Sequence, residues 1–287
     1  MPHWIPSWPE AWGAALVLAL VSRLLVLRLR RPGVLPALLR ETAIVAALFG
    51  LWQFVGTHAV RAVGDAVGRG EAIWHVERMF HLPSEAAVQR LTAPHPWLVQ
   101  FFNGYYVYAH FSTLGLMLLW VFLRHRAAYP QARNAVALTT FACLAISLVA
   151  VAPPRLLDGR FGITDSAAAF GQSVYGPPGT GIADQFSAMP SVHVAWAALV
   201  GVLVYRTARG RARWLGPLHL FLTLVVVVST GNHYWLDAVV AGLIVAASVV
   251  ATDRASAGAV DRNDESRADP PHAAVGQPAE SLDEHGH

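Results

Sequence analysis

Seven mainly apolar runs, near 11–27, 41–60, 97–123, 134–152, 190–206, 214–230 and 235–252, constrain this chain more than any other feature. A helix needs roughly 20 such residues to cross a bilayer. The expected fold is therefore all-α, a polytopic transmembrane helix bundle of six to seven spans. Composition agrees, since 14% of the residues are charged against about a quarter in soluble domains. The first run does not read as a signal peptide, because Arg23, Arg28, Arg30 and Arg31 follow the apolar stretch instead of preceding it. It is kept as a span.

Charge divides the chain. Up to Thr252 there are 18 arginines against 10 acids, a net +8; beyond it there are 3 against 8, a net −5. The formal +3 is thus the sum of an arginine-studded body and an acidic tail, and it does not signal nucleic acid. Every basic residue is arginine and none is lysine, which excludes mechanisms built on a Schiff-base or Walker lysine. The lone cysteine, Cys143, rules out an internal disulfide and a cysteine-rich metal site.

Arginines in short loops set orientation. Arg28, Arg30, Arg31 and Arg40 fall in one loop, Arg124, Arg126 and Arg133 in the next but one, and Arg206, Arg209, Arg211 and Arg213 in a third. These loops are expected to face the cytoplasm of a multi-pass cell-membrane protein, with the N-terminus outside and the C-terminus inside. The outer side then receives 61–96, 153–189 and the link around Ser229 to Asn232. Segment 61–96 is too polar to span and reads as two short interfacial helices, Gly70 to Phe80 and Ser84 to Leu91, with Ser84 as an N-cap. From Asp253 onward large apolar residues are almost absent, so no structure is assigned there. The expected organisation is an N-terminal span and loop over 1–40, a membrane domain over 41–252 and a disordered cytoplasmic tail over 253–287.

Ionisable groups at the mouths of apolar helices carry the functional information, because a central charge costs at least about 2.5–3.5 kcal/mol. Three clusters reach the outer side: Ala152-Pro153-Pro154-Arg155 closing the fourth span, Met189-Pro190-Ser191-Val192-His193 opening the fifth, and Gly231-Asn232-His233-Tyr234-Trp235-Leu236-Asp237 between the sixth and seventh. In the third, Gly231 can end one helix and Asn232 cap the next. His233 then falls in the first turn and Asp237 one turn below, at a spacing that brings side chains within about 5–6 Å. Asp237 can accept from Nδ1 of His233 and leave Nε2 free as base or nucleophile; the bland alternative is a bond that merely ties the helix end. In the second cluster Pro190 or Ser191 starts a helix, which places His193 near unpaired N–H groups that favour an anion. Arg155 offers a planar, permanently charged donor fork suited to phosphate, unless it simply snorkels to the interface. The glycine-bearing stretch between Arg155 and His193 is long enough to lie over the site as a lid or gate. Asn103, Tyr106 and His110 recur at helical spacing on the third span, as interhelical hydrogen-bonding residues or as one wall of a headgroup pocket. Glu77 and Arg78 read as surface or pairing residues.

Arg155, Pro190-Ser191-Val192-His193 and His233-x-x-x-Asp237 resemble, in order and on one face, the three signature motifs of the phosphatidic acid phosphatase type 2 superfamily. The forms PPR, MPSVH and NHYWLD are most similar to its inositol phosphorylceramide synthase-like (inositolphosphotransferase) and sphingomyelin synthase-like branch, and the resemblance covers roughly 40–252. The departures are informative. The family's first motif usually carries a lysine upstream of Arg-Pro, its second usually has glycine where Val192 stands, and its third usually places Ser-Arg where Val226 and Val227 stand. The missing cations favour the synthase-like branch and a phosphodiester, which carries less charge to neutralise than a phosphomonoester.

The resemblance implies an integral-membrane lipid phosphotransferase or phosphatase acting on a phospholipid or lipid phosphate at the outer face. In it His233, oriented by Asp237, attacks phosphorus to form a phosphohistidine, and His193 protonates the departing oxygen. Arg155 and backbone N–H groups near Ser191 hold the nonbridging oxygens. No cofactor and no metal is expected: the histidines lack paired zinc spacing, and the spans carry too few acids for a CDP-alcohol phosphotransferase. A membrane transporter, which would place polar or broken helices near the midplane, and a catalytically silent scaffold are the alternatives from other classes.

Overall fold

The structure is a computed structural model and describes residues 6–29, 33–58, 64–157, 159–175 and 185–268. It is an all-α polytopic bundle. Among the described residues the only β pairing is a single parallel bridge between Val151 and Ser187. Helices stand at all seven apolar runs: Trp8–Arg28 (α1), Val34–His58 (α2), Pro96–Arg124 (α5), Tyr129–Ser147 (α6), Val192–Thr207 (α8), Leu215–Ser229 (α9) and Trp235–Ala268 (α10). Among the described residues five segments are long and apolar enough to cross a membrane, α9 with the short 3-10 turn before it. Neither α6 nor α8 is among them. α8 has only 16 residues, and it occupies the middle of the bundle, packed against α5, α6, α9 and α10. Leu199, Ala195 and Val200 on it join Val121, Cys143, Val228 and Ala241 in one core. A helix so enclosed presents little surface to lipid. The outward faces of the other helices carry Leu16, Leu20 and Leu24, Leu116 and Leu119, Phe221, and Val239 and Leu243, an apolar exterior that fits a multi-pass membrane protein.

α1 and α2 form a hairpin, tied by Ser22 Oγ donating to the Pro36 carbonyl at 2.7 Å and Trp12 Nε1 to the Ala47 carbonyl at 3.1 Å. It meets the rest of the bundle through the Glu41–Arg133 ion pair, 2.8 Å, and the edge contact of Trp52 with Phe111. At the same end as Glu41, Arg206 pairs with Asp253, and Gln131 bonds the same carboxylate. The described arginine-bearing turns therefore share one end; Arg30 and Arg31 lie outside the described residues.

The expected interfacial helices are Ala66–Met79 (α3) and Glu85–Thr92 (α4). Ser84 precedes α4 at the cap position, with no side-chain cap bond. Two expectations need correction. The fourth span ends at Ser147 and not at 152, because the chain beyond it extends to make other bonds: Val151 N–H donates to the Phe186 carbonyl at 2.6 Å, and Ala152 N–H to the Ala66 carbonyl at 2.9 Å. α10 does not stop at Thr252, since 253–268 continue the helix. That stretch is rich in alanine and arginine, both good helix formers, and its start is pinned by the Arg206–Asp253 pair. Residues 269–287 lie outside the described ones.

Candidate active site

The three motif clusters meet at the end of the bundle opposite the arginine turns. α9 stops where Gly231 takes a left-handed conformation, φ 68°, with its N–H on the Val228 carbonyl. A side chain there would meet Ile163 Cγ2 at 2.8 Å and Arg155 Cβ at 3.2 Å, so glycine answers both the backbone and the approach of the Arg155 turn. The carbonyl of Gly231 accepts from Arg155 N–H at 2.9 Å. The third cluster is thereby joined to the first.

Asn232 does not cap α10, and His233 does not lie in its first turn. The helix begins at Trp235, because the Asp237 carboxylate reaches back to Tyr234 N–H at 2.8 Å and fills the capping role itself. The Asn232 amide is used elsewhere: Oδ1 accepts from Arg155 Nε at 2.9 Å and from the Tyr175 hydroxyl at 3.2 Å, and Nδ2 donates to Thr230 Oγ1. His233 is nonetheless within 3.3 Å of Asp237, Nδ1 to Oδ2. A shorter contact, 2.8 Å, joins Nδ1 to the Ala188 carbonyl. A carbonyl can only accept, so Nδ1 carries the proton and the neutral ring keeps its lone pair on Nε2. Nε2 faces His193 Nδ1 at 3.4 Å.

His193 stands in the first turn of α8, whose N-cap Ser191 accepts from Val194 N–H through Oγ. The ring of Tyr106 stacks on it with centroids 4.0 Å apart, and His110 meets it edge-on at 4.2 Å. The Tyr106 hydroxyl bonds the Tyr175 hydroxyl at 2.8 Å, and burial holds the Tyr175 group above the ordinary phenol range, so it stays a donor to Asn232. These contacts form a continuous chain from Arg155 through Asn232, Tyr175, Tyr106 and His193 to His233. Asn103 lies one turn farther toward the loops and bonds Gln172 and Ser166.

Arg155 is not at a helix end but in a 3-10 turn, Pro154–Leu156, with its side chain 2% exposed. The snorkelling expectation fails, since its donors are spent inside. Nε goes to Asn232, Nη1 to Asp165 at 2.8 Å, and the guanidinium lies 4.1 Å over the Tyr175 ring. Nη2 is buried with no hydrogen-bond partner among the described residues.

Part of the expected lid is described. Residues 159–175 pack onto the site through Asp165, Ser166, Gln172 and Tyr175; Gly176, Gly179 and Gly181 lie outside the described residues. Asp165, Tyr175 and the Ala188 carbonyl carry no motif, and nothing in their spacing marks them.

Of the two readings of Glu77 and Arg78, pairing agrees with the structure and a surface position does not: Glu77 is fully buried and meets Arg78. Glu77 Oε1 accepts Leu236 N–H at 2.7 Å, and Arg78 reaches both Glu77 and the equally buried Glu85. Burial, then the hydrogen bond to Glu85, pushes the Glu77 carboxyl up to about 9. Gly70 lets α3 come this close: a Cβ there would stand 2.6 Å from the Ala152 carbonyl and 2.7 Å from the Tyr234 hydroxyl. Among the described residues no group of three or more His, Cys, Asp or Glu side chains is placed to hold a metal ion.

Comparison with curated proteins and with solved structures found no match. A family model described as the PAP2 superfamily matches residues 71–252, from within α3 to the end of the seventh apolar run, leaving out the α1–α2 hairpin. That match takes in all three clusters and well over half of the chain, and the protein therefore belongs to the PAP2 superfamily, which supports a lipid phosphatase or phosphotransferase type of function.

Proposed function

We propose that the protein transfers a phosphoryl or phosphodiester group from a membrane lipid through a phosphohistidine on His233. The observation that carries this is that one chain of contacts holds both His233, whose Nε2 lone pair is set by the Nδ1 bond to the Ala188 carbonyl, and Arg155, whose buried Nη2 has no hydrogen-bond partner among the described residues. A buried donor on a permanent cation is costly to leave unpaired, and a phosphate oxygen is its natural acceptor.

In the first step the P–N bond to His233 Nε2 forms as the bond from phosphorus to the leaving oxygen breaks, and His193 gives that oxygen a proton. In the second, water or a lipid hydroxyl attacks phosphorus, the P–N bond breaks, and His193 takes the acceptor's proton. Because Nε2 of His233 and Nδ1 of His193 are 3.4 Å apart, the rings have to part to admit phosphorus. Asp237 stabilises the imidazolium character that develops on His233, and Arg155 holds the nonbridging oxygens with the first-turn N–H groups of α8. Tyr106 and His110 form the wall of the headgroup pocket. The two histidines start in opposite protonation states, so the rate against pH is bell-shaped. The arginine turns at the other end of the bundle, through the positive-inside rule, support a site on the extracytoplasmic side and a cytoplasmic C-terminus.

The test is trapping. Detergent-purified protein incubated with phosphorus-labelled phospholipids and lipid phosphates is expected to give an acid-labile, base-stable phosphoenzyme, absent in His233→Ala. Full turnover in that variant, or no label in the wild type, sinks the proposal. Release of inorganic phosphate identifies water as acceptor; an exchanged headgroup identifies a lipid alcohol.

A further inference from the structure

Arg155 is the cation that the proposed site offers to phosphate, and it is already half used. Asp165 Oδ2 lies 2.8 Å from Nη1, so the guanidinium and the carboxylate nearly cancel before a substrate arrives. The carboxylate is not a casual loop contact, for the residues on either side of it are both fastened. On one side, Thr164 donates to Gln89 Oε1 through N–H and hydroxyl, at 2.9 and 3.1 Å, while Gln89 Nε2 donates to the Thr164 carbonyl at 2.9 Å and to the Ser229 carbonyl at 3.2 Å. On the other, Ser166 Oγ donates to Asn103 Oδ1 at 2.9 Å. Asp165 itself caps the short helix Ser166–Ala169 (α7), accepting Ala168 N–H on Oδ1 at 2.9 Å, which leaves Oδ2 aimed at the guanidinium. Asp237, 0% exposed, adds a second acid beside the reacting histidine.

We infer that Asp165 determines specificity: by neutralising Arg155 it tunes the site to a singly charged phosphodiester and against a doubly charged phosphomonoester. The inference rests on the proposed function only in taking Arg155 as the phosphate-binding group. A phosphomonoester, with a second pKa of about 6, brings two negative charges at pH 8 to a pocket whose one guanidinium is already paired with an acid. A diester brings one, and the remaining Nη2 donor suffices for it. Repulsion between an introduced like charge and Asp165, in a site screened little by water, decides between the two.

Two short-chain probes isolate the charge: dihexanoyl phosphatidate, a monoester, and dihexanoyl phosphatidylmethanol, the same lipid with one phosphate oxygen methylated. Binding of each at pH 8 is measured in detergent by calorimetry, and turnover is followed separately by mass spectrometry. Wild-type protein is expected to bind the diester more tightly. In Asp165→Asn the ratio of diester to monoester affinity falls by about tenfold or more, while the amide still caps Ala168. Asp165→Glu, which keeps the charge, retains the wild-type preference and separates loss of charge from loss of shape. An unchanged ratio in Asp165→Asn, an equal loss for both probes, or binding of neither overturns the inference. A shifted binding ratio without any turnover or phosphoenzyme upholds it and instead counts against the phosphohistidine reading.

Discussion

The two ends of the bundle use the same residue types in opposite ways. At the arginine end Arg206 and Asp253 pair with side chains 48% and 39% exposed, and the one buried carboxylate described there, Glu41, is met by exposed Arg40 and half-buried Arg133. At the histidine end Arg155, Glu77, Glu85 and Asp237 are all buried, and each is met by a specific amide, carboxylate, guanidinium or backbone group. Exposed pairs contribute about 0–1 kcal/mol, whereas removing one partner of a buried pair costs about 3–5 kcal/mol. Glu41 apart, the first end can therefore serve orientation with little demand on geometry, and the second holds its polar groups in a fixed arrangement.

The largest effect expected from that difference is at Arg155. Arg155→Lys keeps the charge but cannot bond Asn232, Asp165 and a phosphate oxygen at once, nor lie flat on Tyr175. Turnover is expected to fall by about 10²–10³-fold, the size of effect seen when one donor to a developing oxyanion is lost. A lysine variant within tenfold of wild type would show that the fork geometry does not matter and would erase the contrast with the exposed arginines.

Glu77 sharpens the comparison through pH. Its carboxyl is raised from an ordinary 4.5 to about 9, by burial first and Glu85 second, so the native state holds this proton more tightly than the unfolded chain. The stabilisation is complete below the unfolded pKa and is lost as pH rises through the folded value. Between about pH 4.5 and 9 thermal stability in detergent should decline with rising pH, and Glu77→Gln should flatten that slope while its amide oxygen still accepts Leu236 N–H. A slope identical in wild type and variant would remove Glu77 from the account.

Much of this was legible in the sequence, for physical reasons that also mark where reading stopped. Apolar runs report helices because lipid and core both demand them, and all seven are present. The order of Arg155, His193, His233 and Asp237 resembles the superfamily's motifs, although only His193 and Asp237 stand in first turns of helices, while Arg155 sits in a 3-10 turn and His233 just before α10. Boundaries failed where side chains compete for backbone: Asp237 caps α10 in place of Asn232, and Val151 leaves the fourth helix for a bridge to Ser187. Asp165, Tyr175 and Gln89 come from loops or a polar helix and carry no motif: Asp165 meets Arg155 10 positions away across a turn, Tyr175 meets Asn232 57 positions away, and Gln89 meets Thr164 and Ser229 75 and 140 positions away. Glu77 reads as a surface or pairing residue, and the pairing with Arg78 is present, but local sequence does not show that α3 folds onto the first turn of α10 and buries it.

The smallest effect belongs to Arg206. Its bond to Asp253, 3.2 Å between exposed groups, is salt-screened, so Arg206→Ala should change stability by less than about 1 kcal/mol and leave turnover at the far end of the bundle untouched. The same variant tests what holds α10 beyond the seventh apolar run. If the pair with Arg206 anchors 253–268, hydrogen exchange in that stretch should quicken while the span before it stays protected. If exchange there is unchanged, helix propensity and the Gln131 contact suffice. A loss of turnover on Arg206→Ala would mean that the two ends are energetically coupled, the outcome that would most directly break the division of labour between them.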